Sequence, residues 1–182
     1  MGHVGAHTVV DQTAFIHESA YVYGDVVVGE YASIWINAVI RAEFHCVRIG
    51  ARSNIQDNVV IHVGYDTPTL IGDDCSITHQ ATLHGCDIGD RCLIGINATV
   101  MDGAVIGANS VVAGHCIVKE NSVFPANSVI AGVPAKVVAI RDNSRPNLNN
   151  AEFYRRNALI YAAGEELMDI ELARQIYART DP

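Results

Sequence analysis

Aliphatic residues return every six positions along most of this chain. One run is Ile16, Val22, Val28, Ile34 and Ile40. A second is Ile49, Ile55 and Ile61, and a third is Ile71, Ile77 and Leu83. The fourth runs through Ile88, Ile94, Val100, Ile106, Val112, Val118, Phe124 and Ile130. A fixed period held through four runs excludes an amphipathic helix, whose apolar stripe recurs at about 3.6 residues, and it excludes a heptad. It predicts stacked coils of three short parallel strands, about 18 residues per coil. Each aliphatic turns inward. Small or turn-prone residues, Gly24, Asp25, Gly50, Gly72, Asp73, Gly107 and Asn109, are expected at the corners.

The steps between runs are equally informative. Ile40 to Ile49 is nine positions, three too many. Ile61 to Ile71 is ten, four too many, and Leu83 to Ile88 is five, one too few. Ile61 to Leu83 is 22 positions, which is one coil of about 18 plus the inserted four. His62 and His84 each follow one of these core residues. They are expected in one outward column on adjacent coils, about 4.8 Å apart. Imidazoles so placed can share a zinc ion through bonds of roughly 2.0–2.1 Å. Arg41 follows Ile40, so it falls directly below His62. His79 belongs to another column: it is two residues after Ile77, as Asp57 is two after Ile55. Within one chain it points away from the pair. His62, His79 and His84 therefore meet only where a neighbouring subunit presents His79.

The pattern changes near the C-terminus. Residues 1–141 are expected to form the β-helix domain, and 142–182 a linker and a helical segment packed upon it. Residues 142–149 read as the linker. From about Asn150 to Ala178 the spacing becomes helical through Phe153, Tyr154, Asn157, Tyr161, Leu167, Ile170, Ile176 and Tyr177, with a break near Gly164 and Asp169. Such a stripe is buried by laying the helix along the coils.

Composition narrows the function classes. Aromatics make up 7% of the 182 residues, which suits the narrow interior of a β-helix. A net charge of −8 without a basic run excludes ordinary nucleic-acid binding. No apolar stretch approaches a membrane-spanning length. The five cysteines (Cys46, Cys75, Cys86, Cys92, Cys116) show no C-x-x-C spacing and are expected as free thiols, mostly buried, in a cytoplasmic protein. His3, His7, His17, His45 and His115 share no register and read as surface residues.

Several segments carry a resemblance. Ala38-Val39-Ile40-Arg41-Ala42-Glu43, Ser53-Asn54-Ile55-Gln56-Asp57-Asn58-Val59-Val60-Ile61-His62, Ile77-Thr78-His79-Gln80-Ala81, Leu83-His84-Gly85-Cys86 and Ala131-Gly132-Val133-Pro134-Ala135-Lys136 resemble the gamma-class carbonic anhydrase family. The resemblance covers roughly residues 10 to 160. It implies an all-β left-handed parallel β-helix with a C-terminal α-helix, assembled as a homotrimer. It implies a zinc or iron ion at each subunit interface, held by two histidines of one chain and one of the next. It assigns Arg41, the acidic Glu43 and Asp57 to an interface salt-bridge cluster, and it places Tyr154 where the family has a helix tyrosine near the active site. Two departures stand out. The family's usual Arg-Gly-Asp is Arg41-Ala42-Glu43 here, which lengthens the acid and removes the glycine's freedom. The insertion Gly64-Tyr65-Asp66-Thr67-Pro68 is short, where the best-characterised branch carries long acidic loops implicated in proton transfer.

Three neutral imidazoles leave an open position on a tetrahedral ion, as in catalytic sites. Zinc, or iron or cobalt in its place, would bring bound water to a pKa of about 7 and supply hydroxide. Gln56 is expected to orient that nucleophile, Asp57 to support the surrounding groups, and carbon dioxide to be the small-molecule substrate. Hydrolysis of a small ester, thioester or amide is the second reading. Acyl transfer from CoA ranks lower, because it needs one general-base histidine and a CoA groove. A non-catalytic assembly subunit is disfavoured by the intact ligand set.

Overall fold

The computed structural model describes residues 3–178, so positions 1–2 and 179–182 of the two expected stretches lie outside the described residues. The chain forms a left-handed parallel β-helix of about 7 turns followed by a short helical part. Each coil lays a strand on each of three faces. On the first face Val22, Ile40, Ile61, Leu83, Val100 and Val118 stand in one column. On the second face the column is Ile16, Ile34, Ile55, Ile77, Ile94, Val112 and Ile130. On the third it is Val28, Ile49, Ile71, Ile88, Ile106 and Phe124. None of these side chains is more than 9% exposed, so the whole six-residue period is core.

The strand Val39–Ile49 rounds a corner without breaking. It joins the first and third faces into one twelve-stranded sheet, and the second face is a separate eight-stranded sheet. The three extra residues of this coil are pushed outward where the register jumps from Gly24↔Ala42 to Val26↔Val47. Gly24 and Asp25 lie inside the strand Tyr21–Val28, at the point where it rounds the same corner from Val22 on the first face to Val28 on the third. Gly24 sits at φ +91, and a Cβ there would come within 2.0 Å of the Ala42 carbonyl oxygen. It is glycine because two backbones meet.

Left-handed corner residues are mostly not the expected ones. They are Tyr31, Asn37, Arg52, Asn58, Asp74, Gln80, Arg91, Asn97, Asn109, His115, Asn121 and Asn127, all with φ between 52 and 64. Of the expected set Asn109 takes this role, and Gly50, Gly72, Asp73 and Gly107 stand in the same corners one or more positions before the left-handed residue. Asparagine supplies half of these positions, because its short amide tolerates the left-handed conformation.

Helix α1 (Ser144–Ala162) begins inside the segment expected as a linker, and α2 (Ile170–Ala178) follows the break at Gly164. Pro146 in the first turn removes no intrahelical bond, since the N–H groups there have no partner. Asp142 accepts a hydrogen bond from the Ser144 N–H at 2.8 Å. Asn147 then donates to the carbonyls of Arg91 and Ser110, which pins the helix start to the coils. α1 lies on the second face, where Trp35 packs edge-on against Tyr154 and Tyr161. Ala151 and Ala158 are buried there, whereas Leu167 and Ile170 of the expected stripe are exposed. Phe153 packs on Tyr177, which turns α2 back onto α1.

Replacing Ile94 by Ala tests this core. Ile94 is fully buried between Ile77 and Val112. The expected loss is about 2–5 kcal/mol, read as a lowered urea midpoint at an unchanged slope.

Candidate metal centre

The parallel ladder pairs His62 with His84 directly. Both end strands of the first face, Val60–His62 and Thr82–His84, and both side chains are part-exposed. Their rings are 5.1 Å apart, and Nδ1 of His62 faces Nε2 of His84 at 3.1 Å. Each outer nitrogen meets a carboxylate. Nε2 of His62 is 2.9 Å from Glu43, and Nδ1 of His84 is 2.9 and 3.0 Å from the two oxygens of Asp102.

These contacts decide where the hydrogens sit. A carboxylate only accepts, so Nε2 of His62 and Nδ1 of His84 donate. Nε2 of His84 is then a bare lone pair. It faces Nδ1 of His62, which must carry a hydrogen or share a cation with it. Two nitrogens on one tetrahedral zinc are roughly 3.3 Å apart, from bonds of 2.0–2.1 Å. The 3.1 Å separation and the imidazole chemistry fit such an ion. Two ligands do not complete it. Among the described residues of one chain, no group of three or more His, Cys, Asp or Glu forms a metal cage.

His79 stands at a different edge. It follows the strand Ser76–Ile77 of the second face, at the corner leading to the first. Its Nδ1 donates to Asp57 at 2.7 Å, and the Tyr154 hydroxyl lies 3.3 Å from its Nε2. The pairing Ile55↔Ile77 puts Asp57 directly beneath it. His79 and the His62–His84 pair thus flank the first face from opposite edges. Each histidine has its own carboxylate: Glu43, Asp57 or Asp102.

The expected salt-bridge cluster is divided within the chain. Arg41 pairs with Glu43, and Asp57 goes to His79. Burial raises the Glu43 carboxyl, but hydrogen bonds from its own backbone and from His62, with the charge of Arg41, outweigh that and hold it below its ordinary value. Gln56 is 2% exposed, and its amide donates to Asn54 Oδ1 at 2.9 Å. Asn54 in turn donates to Ser76 Oγ, which donates to Asn150 of α1. Gln56 therefore belongs to a buried ladder within the chain. Burial and then the charge of Asp57 push the Tyr154 phenol up to about 12. Asp102 was not among the residues singled out by periodicity. Phe44 stands edge-on to His62, with Tyr65 beside it, and both rings are exposed.

Known proteins share the repeat and the fold. Residues 97–132 match a family described as bacterial transferase hexapeptide (six repeats). Over 161 residues the chain is 44% identical to a protein of Methanocaldococcus jannaschii named "Probable carbonic anhydrase", covering 88% of this chain and 98% of that one. It is 45% identical over 103 residues to the mitochondrial gamma carbonic anhydrase 1 of Arabidopsis thaliana. That match covers 53% of this chain and 38% of the relative, so the chain spans well under half of that protein. Among solved structures it is similar to a hexapeptide transferase family protein from Anaplasma phagocytophilum. There the TM-score is 0.81 and the identity 33%, over 85% of this chain and 92% of that one.

The phenol of Tyr154 gives a pH test. A raised folded-state value means that its neutral form is the one folding favours. That stabilisation is complete below the unfolded value of about 10, and it is lost as pH climbs through the folded value near 12. In ultraviolet titrations of the protein and of Tyr154→Phe, the difference should be one phenol ionising near 12. Ionisation at the ordinary tyrosine value would contradict the burial.

Proposed function

The chain belongs to the gamma-class carbonic anhydrase family, and on that premise we propose that it hydrates carbon dioxide to bicarbonate at a metal site. The carrying observation is the in-register pair His62 and His84, with facing nitrogens and a carboxylate on each outer nitrogen. Zinc, iron or cobalt would be held by this pair and by His79 of a neighbouring chain. Such an ion supplies Lewis acidity that makes water nucleophilic at neutral pH.

The chain's own residues have separable tasks in this reading. Asp57 holds the Nδ1 hydrogen of His79 and leaves Nε2 free to bind. Tyr154, a neutral phenol, stands beside that same nitrogen and orients whatever occupies it. Glu43 holds the outer edge of His62, and Arg41 pairs with Glu43. Gln56 reaches the nucleophile only if it leaves its bond to Asn54. Phe44 and Tyr65 give the His62 edge an apolar flank suited to a small uncharged substrate.

Assembly follows from the two edges. The first face between them exposes Tyr21, Val60 and Ile117. Packing three chains through this face would cover those residues and carry each His79 edge to a neighbour's His62–His84 edge. A homotrimer with three interfacial metals is the proposed assembly. A cytoplasmic setting is proposed from the free thiols, of which Cys75, Cys86, Cys92 and Cys116 are buried. No helix among the described residues is long and apolar enough to cross a membrane.

Metal analysis with stopped-flow hydration, on zinc-loaded protein in air and on iron-loaded protein without oxygen, tests the reaction. We expect measurable but slow hydration, limited by proton release to buffer, since the short insertion offers only Asp66 as an acid. Fast turnover indifferent to buffer would point to an unrecognised proton path. Full occupancy with no hydration, together with cleavage of a small ester or thioester, would favour the hydrolase reading. Turnover of acetyl-CoA independent of metal would favour acyl transfer.

Two substitutions test the parts. His84→Ala should abolish metal binding and activity together while circular dichroism keeps the β signal, because the side chain lies outside the core. Arg41→Ala should shift the sedimentation profile from trimer to monomer at dilution. If covered by a neighbour, the Glu43 carboxylate would be left without its cation, a loss of about 3–5 kcal/mol for a buried pair. A variant that stays trimeric would refute that role.

A further inference from the structure

We propose that Asp102 is the positioning residue for His84, and that the short insertion at residues 63–68 exists in this chain to build that contact. The proposal rests on His84 being a metal ligand as read above.

The contact arises where the repeat is broken twice. The coil carrying His62 has four extra residues, and the coil carrying His84 is one residue short between Leu83 and Ile88. Position Met101 stacks above His84 by the ladder, since Leu83 pairs with Val100. Asp102 is one position further on, over the shortened corner at Gly85. Its carboxylate reaches down and takes the Nδ1 hydrogen of His84 with both oxygens, at 2.9 and 3.0 Å.

The insertion closes on the same carboxylate. Gly64 N–H bonds the Thr67 carbonyl at 2.9 Å, which folds the loop back. The Thr67 hydroxyl donates to Asp102 Oδ1 at 3.3 Å. Thr69 hydroxyl donates to the His62 carbonyl at 2.6 Å and accepts from the Gly85 N–H at 2.9 Å, so both histidine-bearing strands are tied to the loop's exit. Gly103 N–H bonds the Gly85 carbonyl at 2.7 Å, and Asn121 N–H bonds the Asp102 carbonyl at 2.8 Å. The Asp102 backbone is thereby fixed from below and above.

Two glycines leave room for the carboxylate. A Cβ on Gly64 would stand 1.9 Å from Asp102 Oδ1 and 2.1 Å from Thr67 Oγ1. A Cβ on Gly85 would stand 2.2 Å from Thr67 Oγ1 and 2.6 Å from Asp102 Oδ1, and Gly85 has φ +59. The consequence is chemical. A hydrogen held on Nδ1 leaves the Nε2 lone pair toward His62, which is the tautomer and ring orientation that a shared cation requires. Carboxylates on the far nitrogen of a ligating histidine fix the tautomer, and losing them typically weakens metal binding by about 10–100-fold.

The test compares Asp102→Ala, Asp102→Asn, Thr67→Val and His84→Ala in the full chain. Zinc affinity is measured by competition with a chromophoric chelator. The tautomer of His84 is read from ring nitrogen-15 shifts of the metal-free protein, which does not depend on activity. Asp102→Ala should weaken zinc binding by about 10-fold or more and shift the hydrogen of His84 away from Nδ1. Asp102→Asn, which still accepts a hydrogen bond and preserves the fold if the alanine variant does not, should keep the tautomer and lose less affinity. Thr67→Val should weaken zinc in the same direction by a smaller factor. Unchanged zinc affinity in both Asp102 variants, with His84→Ala still losing the metal, would overturn the proposal and leave the metal reading standing. Unchanged affinity in His84→Ala would overturn the metal reading itself, and the tautomer shift would then report only a structural contact.

Discussion

In-register parallel stacking is the constraint on which the rest of this structure depends. Every strand of the coils hydrogen-bonds its counterpart one coil away, and only the last strand, Ala135–Ile140, folds back antiparallel, so positions in the coils repeat vertically at the strand spacing. A slip of one residue would turn each inward aliphatic outward and is strongly disfavoured. The same register that buries Ile61 and Leu83 in one column therefore sets His62 and His84 side by side in the next. The histidine pair is a by-product of core alignment, which fixes the backbone positions of both residues. The insertions respect this rule. The outward bulge after Ala42 and the loop after His62 both return the chain to its original column.

The carboxylates add what register alone does not supply. A column fixes the Cα positions of two histidines and leaves their rings free to turn. Glu43, Asp57 and Asp102 each take one ring nitrogen of a histidine and so fix which nitrogen is left over. Such pairs at a half-exposed surface contribute little to stability. Their effect is on orientation, and it strengthens when a covering surface excludes water and lowers the local dielectric. In the proposed assembly this would link packing to chemistry, because the first face and its two histidine edges are open in the single chain.

How far the sequence could be read follows from the same geometry. Counting six-residue steps finds every core column and the His62–His84 and His79–Asp57 pairings, because these depend only on how many residues separate two coils. Arg41 beneath His62 was legible for the same reason. The corners were less legible. Left-handed residues such as Asn37, Asn58 and Asn97 each stand three positions after an inward aliphatic, so the period does mark their places, but the residue type there varies from Asn to Tyr, Arg, Gln and His and gives no single composition signal. Gly24 stands at a corner as expected, and it is also a point of close backbone approach, which the period alone does not show. The start of α1 was hidden by Pro146 and by a run of asparagines. Asn147 finds its partners on coils more than thirty residues away, which no local window contains. Gln56 carried an expected role beside the nucleophile, and the side-chain ladder beneath α1 holds it elsewhere.

Asp102 shows the limit most clearly. Column arithmetic ranks it as an ordinary corner residue, since the histidine column continues to Met101. It reaches His84 only because one coil is a residue short and the neighbouring coil has a loop that folds over the gap. Regular hexads build a scaffold that transferases and carbonic anhydrases share, and a shared fold does not specify chemistry. The carboxylate contacts of the His62–His84 pair lie where the hexads fail, after Ala42, after His62 and at Gly85, whereas His79 and Asp57 sit on regular repeats. Departures from the period are therefore the informative positions in a repeat protein of this kind. Each one frees a side chain from core packing and lets it address a neighbouring coil.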